Sequence, residues 1–176
     1  MINKEKLLAT KEIFRGRAVS LRIDTIEKAS GQVTTREIVE HSDCIAVVPV
    51  DDSGNIVMVK QFRRPAGKLL LEIPAGGMED GEDPEACVRR ELQEEIGYLP
   101  GRLQRLGGFY AAPGYCSEYL HLFLATQLKS SRLVAEDTDE IEVVRVPVAK
   151  IMAMIASGEI CDAKSIAGLL QYMGSR

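Results

Sequence analysis

The chain has 176 residues, 45% of them hydrophobic and 27% charged, with 15 glycines, 7 prolines and no tryptophan. This is the composition of an ordinary globular domain large enough to bury its own core, and it excludes collagen-like, low-complexity and disulfide-dense classes. A net charge of −4 and a pI near 5.3 advertise no basic face, so nucleic acid is not an expected partner.

The opening segment MINKEKLLATKEIF has no apolar run of signal-peptide length, and no 18-residue apolar stretch occurs anywhere. No membrane association and a cytoplasmic location are therefore expected. Cys44, Cys87, Cys116 and Cys161 are scattered, without a CxxC pair, and read as small buried hydrophobes rather than metal ligands.

Ala18–Asp24 (AVSLRID) alternates apolar and polar residues, and Val33–Glu40 (VTTREIVE) is rich in β-branched residues. The turn-like ASGQ between them predicts a hairpin. Cys44–Val50 (CIAVVPV) is the apolar run of a strand covered on both faces. The turn DDSGN separates it from a strand at Ile56–Phe62, and a short strand is expected at Leu69–Ile73.

Asp83-Pro84 predicts a helix start, with Asp as N-cap and Pro in the first turn. Val88, Leu92 and Ile96 recur every four residues as its buried stripe, and Gly97 ends it. Further strands are expected at Leu103–Phe109, Tyr119–Ala125 and Ile141–Val148, and helices at Ala149–Ser157 and Ala163–Met173. Strands interleaved with helices imply an α/β class with a mixed sheet.

Glu91, Glu94 and Glu95 fall within five helical positions. At about 100° per residue they leave one edge of the helix, beside the apolar stripe. Like charges so placed repel, and the helix C-terminal dipole disfavours anions. Arg90 can offset Glu94 one turn away but cannot serve all three. A divalent cation can, and carboxylates without His or Cys are hard oxygen donors, which points to Mg²⁺, with Mn²⁺ as the alternative. Mg²⁺ commonly shares its shell with phosphate oxygens, so phosphate chemistry is implied.

The stretch GGMEDGEDPEACVRRELQEEIGY (Gly76–Tyr98) resembles the Nudix box, G-x5-E-x7-R-E-U-x-E-E-x-G-U, where U is bulky and aliphatic. Gly76, Glu82, Arg90, Glu91, Glu94, Glu95 and Gly97 supply all seven fixed identities. At residue frequencies of roughly one in fifteen, a chance match is on the order of 10⁻⁹ per start position. Tyr98 at the final U is the one departure, and it bears on packing rather than chemistry.

The resemblance implies a Nudix-type α/β/α sandwich, a small N-terminal antiparallel β unit, and hydrolysis of a nucleoside diphosphate linked to another group. Carried over by position, Glu91 and Glu95 are metal ligands, Glu94 is a ligand or base, and the Ala75 carbonyl completes the shell. Glu82 and Arg90 brace the loop against the helix, with Gly76 and Gly97 as structural glycines.

Outside the box, Leu71–Gly76 (LEIPAG), Gln61-Phe62-Arg63, REIVEH at Arg36–His41, Pro113 sixteen residues after Gly97, and DAKSIAGLLQY look like the ADP-ribose pyrophosphatase branch. That implies Arg63 on the diphosphate, Arg17, Arg36 and Glu37 on the adenosine side, and Glu118 over the terminal ribose or the metals. The general base of this branch often comes from a late acidic loop, here Asp137, Asp139 or Glu140. The branch also implies a homodimer, with residues 1–42 as a dimerisation and adenosine-contact segment and 43–176 as the hydrolase domain. The expected reaction is Mg²⁺-dependent cleavage of ADP-ribose to AMP and ribose 5-phosphate. The alternatives are hydrolysis of GDP-mannose, NADH or another such nucleotide, and a sensor module that binds ADP-ribose without cleaving it.

Overall fold

The computed structural model describes residues 5–134 and 141–175, which fall into two compact units. One takes the chain up to Asp43 together with Tyr110–Tyr119. The other takes Cys44–Phe109 and the chain from Leu120 on.

The first unit is an antiparallel sheet of β1 (Lys6–Arg15), β2 (Ser20–Glu27) and β3 (Val33–Glu40), in that order. β2 and β3 are the expected hairpin, paired from Ser20↔Glu40 to Glu27↔Val33. β1 was not expected from the sequence. All ten of its residues are exposed, so burial imposes no alternation that could be read. Register shifts between Leu7 and Ala9 and between Glu12 and Phe14 disturb its period further. The nearly buried Asp24 (6% exposed) accepts from Thr10 Oγ1 at 2.8 Å and pairs with Arg22. The segment 110–119 is tied to β3 through Val39, whose N–H donates to Tyr115 O at 2.8 Å and whose carbonyl accepts from Ser117 N–H at 3.0 Å.

The second unit contains β4 (Cys44–Pro49), β5 (Asn55–Arg63), β6 (Lys68–Glu72), β7 (Ala75–Gly77), α1 (Pro84–Glu95), β8 (Tyr98–Tyr110), β9 (Tyr119–Ser130), β10 (Glu142–Pro147), α2 (Val148–Ser157) and α3 (Ala163–Gly174). Its mixed sheet runs β7-β4-β9-β8, with β4 parallel to β9 and antiparallel to β7. A second, antiparallel sheet runs β10-β5-β6. β7 is three residues of Ala-Gly-Gly and carries no strand signal of its own.

β4 is buried along its whole length, as its apolar run requires, and its alternate residues feed two cores. Ala46 and Val48 pack with Ile151, Leu169 and Tyr172 of α2 and α3. Ile45 and Val47 pack with Cys87, Val88, Leu92 and Ile96 of the α1 stripe. Helices thus cover both faces, giving the α/β/α arrangement, and each such side chain contributes roughly 1.5–3 kcal/mol of burial. Gly168 lets α3 lie close to the sheet, because a Cβ there would sit 2.8 Å from Ile73 Cδ1.

Cys44 and Cys87 are buried as expected, but Cys161, just before α3, is exposed. Among the described residues no helix is long and apolar enough to cross a membrane.

Candidate active site

The acidic helix is set by its ends and its stripe. Asp83 caps α1, its Oδ2 accepting from the N–H groups of Glu85 at 3.0 Å and Ala86 at 3.2 Å, and Pro84 opens the first turn. Beyond Ile96 the chain leaves through Gly97 at φ 76°, a left-handed conformation that suits glycine. With Val88 and Leu92 fully buried, the rotation of the helix is fixed. The three glutamates then lie at the margin of the core: the Glu91 and Glu94 side chains are 12% and 18% exposed, and Glu95 is 7% exposed.

Arg90 is the hub. Its Nε donates to Glu82 Oε1 and its Nη2 to Glu82 Oε2, both at 3.0 Å, a fork-on-fork pair. Its Nη1 donates to Glu91 Oε1 at 2.7 Å and Glu94 Oε2 at 3.3 Å, and Nη2 also reaches Gly77 O at 3.1 Å. Glu82 closes the loop by accepting from Glu79 N–H at 3.0 Å. The Arg90 guanidinium holds the Glu82 carboxyl down at about 2. The loop from Gly77 to Glu82 and the helix from Arg90 to Glu94 are thereby one charge-assisted unit.

The Glu91 carboxylate lies over Gly76, where any Cβ would overlap it. Burial pushes its carboxyl up, and the Arg90 hydrogen bond only partly opposes this. Glu95 Oε2 accepts from Ala75 N–H at 3.2 Å. Burial, and then the neighbouring Glu91 charge, push the Glu95 carboxyl up to about 8. Among the described residues, the ion pairs of Glu91 and Glu94 come from Arg90 alone, and none reaches Glu95. Several carboxylates, mostly withdrawn from water, thus share one guanidinium, with oxygen as their sole donor atom. That donor set fits a hard divalent cation.

Arg63 does not stand alone at the surface. Its Nε and Nη2 grip Glu72 Oε1 and Oε2 at 2.9 and 2.7 Å, and Glu72 is only 1% exposed. Lys164 of α3 also donates to Glu72. Glu72 and Lys164 lie inside the LEIPAG and DAKSIAGLLQY stretches, which were read as signatures without a role for either residue. Cys87, also without a role in the sequence reading, lies beneath the Arg90 hub, its Sγ accepting from Nη2 at 3.4 Å.

The remaining candidates belong to the first unit. Arg36 and Glu37 are adjacent on β3 and so point to opposite faces. Arg36 Nη2 is engaged by Glu5 Oε1 at 2.5 Å. Arg17 lines an open cleft of about 330 Å³ with Gly16, Ser20, Glu40 and His41. Glu118 ends the loop after Pro113, its carbonyl accepting from Ala111 N–H at 3.1 Å. Asp137, Asp139 and Glu140 lie outside the described residues.

Comparison with known proteins gives a consistent picture. A model of the NUDIX domain matches residues 40–169. The chain is 41% identical over 172 residues to an ADP-ribose pyrophosphatase of Bacillus subtilis, covering 97% of this chain and 92% of that protein. It is 37% identical over 172 residues to a methanol dehydrogenase activator of Bacillus methanolicus, with the same coverage of each. A crystal structure of an ADP compounds hydrolase superposes with a TM-score of 0.91 at 20% identity, over 99% of this chain and 95% of that one.

Proposed function

The chain belongs to the NUDIX domain family and is a Nudix hydrolase; from that premise we propose that it hydrolyses ADP-ribose to AMP and ribose 5-phosphate with Mg²⁺. The observation that carries the chemistry is the edge of α1, where Glu91, Glu94 and Glu95 are withdrawn from water around one guanidinium. The Bacillus subtilis relative named ADP-ribose pyrophosphatase, with its near-complete coverage, supports the substrate.

Glu91, Glu95 and the Ala75 carbonyl would hold the divalent cation. When bound, it neutralises diphosphate charge and makes a water more acidic. Glu94 is left to complete that shell or to accept a proton. Arg90 and Glu82 keep the loop and helix in register, so the carboxylates converge before substrate arrives. Arg63 presents guanidinium N–H groups to the diphosphate. Water attacks phosphorus, the diphosphate P–O bond breaks, and a base takes the water's proton; Asp137, Asp139 and Glu140 are the nearby-in-sequence candidates. Arg17, Arg36 and Glu37 serve the adenosine half, and Glu118 the terminal ribose.

The protein works in a reducing cytoplasm as a homodimer. Exposed Leu7, Leu8, Ile13 and Phe14 on β1 support a partner surface, since so many large apolar groups on one edge strand invite association. Light scattering that found a fully active monomer would rule out the dimer.

The decisive assay incubates the protein with Mg²⁺ and a panel of ADP-ribose, GDP-mannose, NADH and nucleoside triphosphates, with products followed by chromatography. AMP and ribose 5-phosphate should appear from ADP-ribose ahead of any other turnover. Consumption of GDP-mannose with ADP-ribose intact would overturn the substrate. Binding of ADP-ribose without cleavage would make the protein a sensor.

A further inference from the structure

We propose that Lys164 is a positioning residue for substrate binding: it holds the buried Glu72 carboxylate against which the Arg63 guanidinium is aligned. The proposal rests on the reading that Arg63 meets the diphosphate.

Glu72 is at the end of β6, and its side chain is 1% exposed. A carboxylate so placed stays ionised only if cations and donors compensate its lost hydration. Arg63 supplies one edge of its fork, Nε and Nη2. That leaves the Nη1 edge of a side chain 40% exposed to face outward. If Arg63 were the sole compensation, sharing its charge with a phosphate would weaken its hold on Glu72 and leave a buried anion poorly paired. Lys164 Nζ removes that conflict by donating to Glu72 Oε2 as well. Glu72 can then remain a fixed anvil while Arg63 engages substrate.

The position of Lys164 argues that this contact is specific. It lies in the first turn of α3, where the helix dipole disfavours a cation. Its ammonium, 14% exposed, is clamped a second time by Asp162 Oδ2 at 3.0 Å. The same Asp162 oxygen caps α3, accepting from Ser165 N–H at 3.0 Å and Ser165 Oγ–H at 2.6 Å. Ser165 Oγ in turn accepts from Ile73 N–H at 2.8 Å, next to Glu72 in the chain. The start of α3 is thus tied to the end of β6 by two separate links, the Ser165 link to the backbone and the Lys164 link to the Glu72 carboxylate. Removing Lys164 leaves the first link in place, so its effect falls on Arg63 and not on Ala75 or Glu95.

The test compares wild type, Lys164→Gln, Arg63→Ala and the double variant with ADP-ribose and saturating Mg²⁺, together with Mn²⁺ affinity measured by electron paramagnetic resonance. Lys164→Gln should raise KM roughly tenfold, change kcat less than about threefold, and leave Mn²⁺ affinity unchanged. Because Lys164 acts through Arg63, the double variant should have the KM of Arg63→Ala alone. Full multiplication of the two effects, or a loss of Mn²⁺ affinity in Lys164→Gln, overturns the proposal. An unchanged KM in Arg63→Ala instead overturns the underlying reading of Arg63. Should Lys164→Gln fail to fold, Glu72→Gln/Lys164→Gln removes the buried charge and should match Glu72→Gln in KM; a further rise would again count against it.

Discussion

Replacing Glu95 with Gln should make the metal-free protein more stable at alkaline pH while abolishing its chemistry. The Glu95 carboxyl is raised from 4.5 to about 8, chiefly by burial and then by Glu91. The sign follows from linkage. A carboxyl that binds its proton more tightly folded than unfolded contributes stability that is present in full below pH 4.5 and is lost as pH rises through about 8. At ~1.4 kcal/mol per tenfold change in proton affinity, the span amounts to roughly 4–5 kcal/mol. Glutamine resembles the protonated carboxyl, can still accept from Ala75 N–H, and does not titrate. In chelator, wild type and Glu95→Gln should therefore unfold alike near pH 5. By pH 8 the variant should be ahead by roughly 4 kcal/mol, or on the order of 10 °C in Tm for a domain of this size. Denaturant or thermal unfolding across this pH range measures the gap directly. Excess Mg²⁺ should stabilise wild type selectively at pH 8, because binding to the folded state adds stability by mass action. Turnover of ADP-ribose by Glu95→Gln should fall by orders of magnitude. A gap independent of pH, or a variant less stable than wild type at pH 8, would refute the reasoning.

Gly76→Ala puts a methyl group where the Glu91 carboxylate lies; divalent-metal affinity by calorimetry should drop about 10–100-fold with the far-ultraviolet circular dichroism unchanged. Glu82→Gln breaks the Arg90 fork and should cost about 1–2 kcal/mol at neutral pH. Since the Glu82 carboxyl is lowered to about 2, its contribution is present above 4.5 and is lost as pH falls through 2, so acid titration should close the gap between variant and wild type. Ser165→Ala removes the acceptor of the Ile73 N–H in a fully buried setting, and the orphaned donor should lower stability by about 1–3 kcal/mol in denaturant melts.

What the sequence disclosed and what it hid follow one physical distinction. Features generated by local rules were legible: the Asp83-Pro84 start, the Val88/Leu92/Ile96 stripe, Gly97, the twice-covered β4 strand and the β2–β3 hairpin each satisfy a requirement of backbone or burial within a few residues. The box glutamates were legible for the opposite reason, since their crowding defies the local electrostatic rule. β1 obeys no local rule, because with every residue exposed neither face constrains its pattern. β7 is too short and too glycine-rich to carry one.

The support of the site was hidden for a different reason. Glu72 and Lys164 are separated by 92 positions in the chain, and nothing near either residue shows that the glutamate is buried or that the lysine faces it. Read alone, Arg63 offered a choice between a surface ion pair and a phosphate contact. The structure removes the opposition between these readings. An arginine held by one edge on a buried carboxylate has already lost much of the rotamer freedom that a free surface arginine would lose on binding, about 2 kcal/mol for such a side chain. Its ion pair can therefore prepare the phosphate contact, provided another cation steadies the carboxylate. The rise in KM expected of Lys164→Gln, and its disappearance when Arg63 is absent, is the measurable form of that dependence.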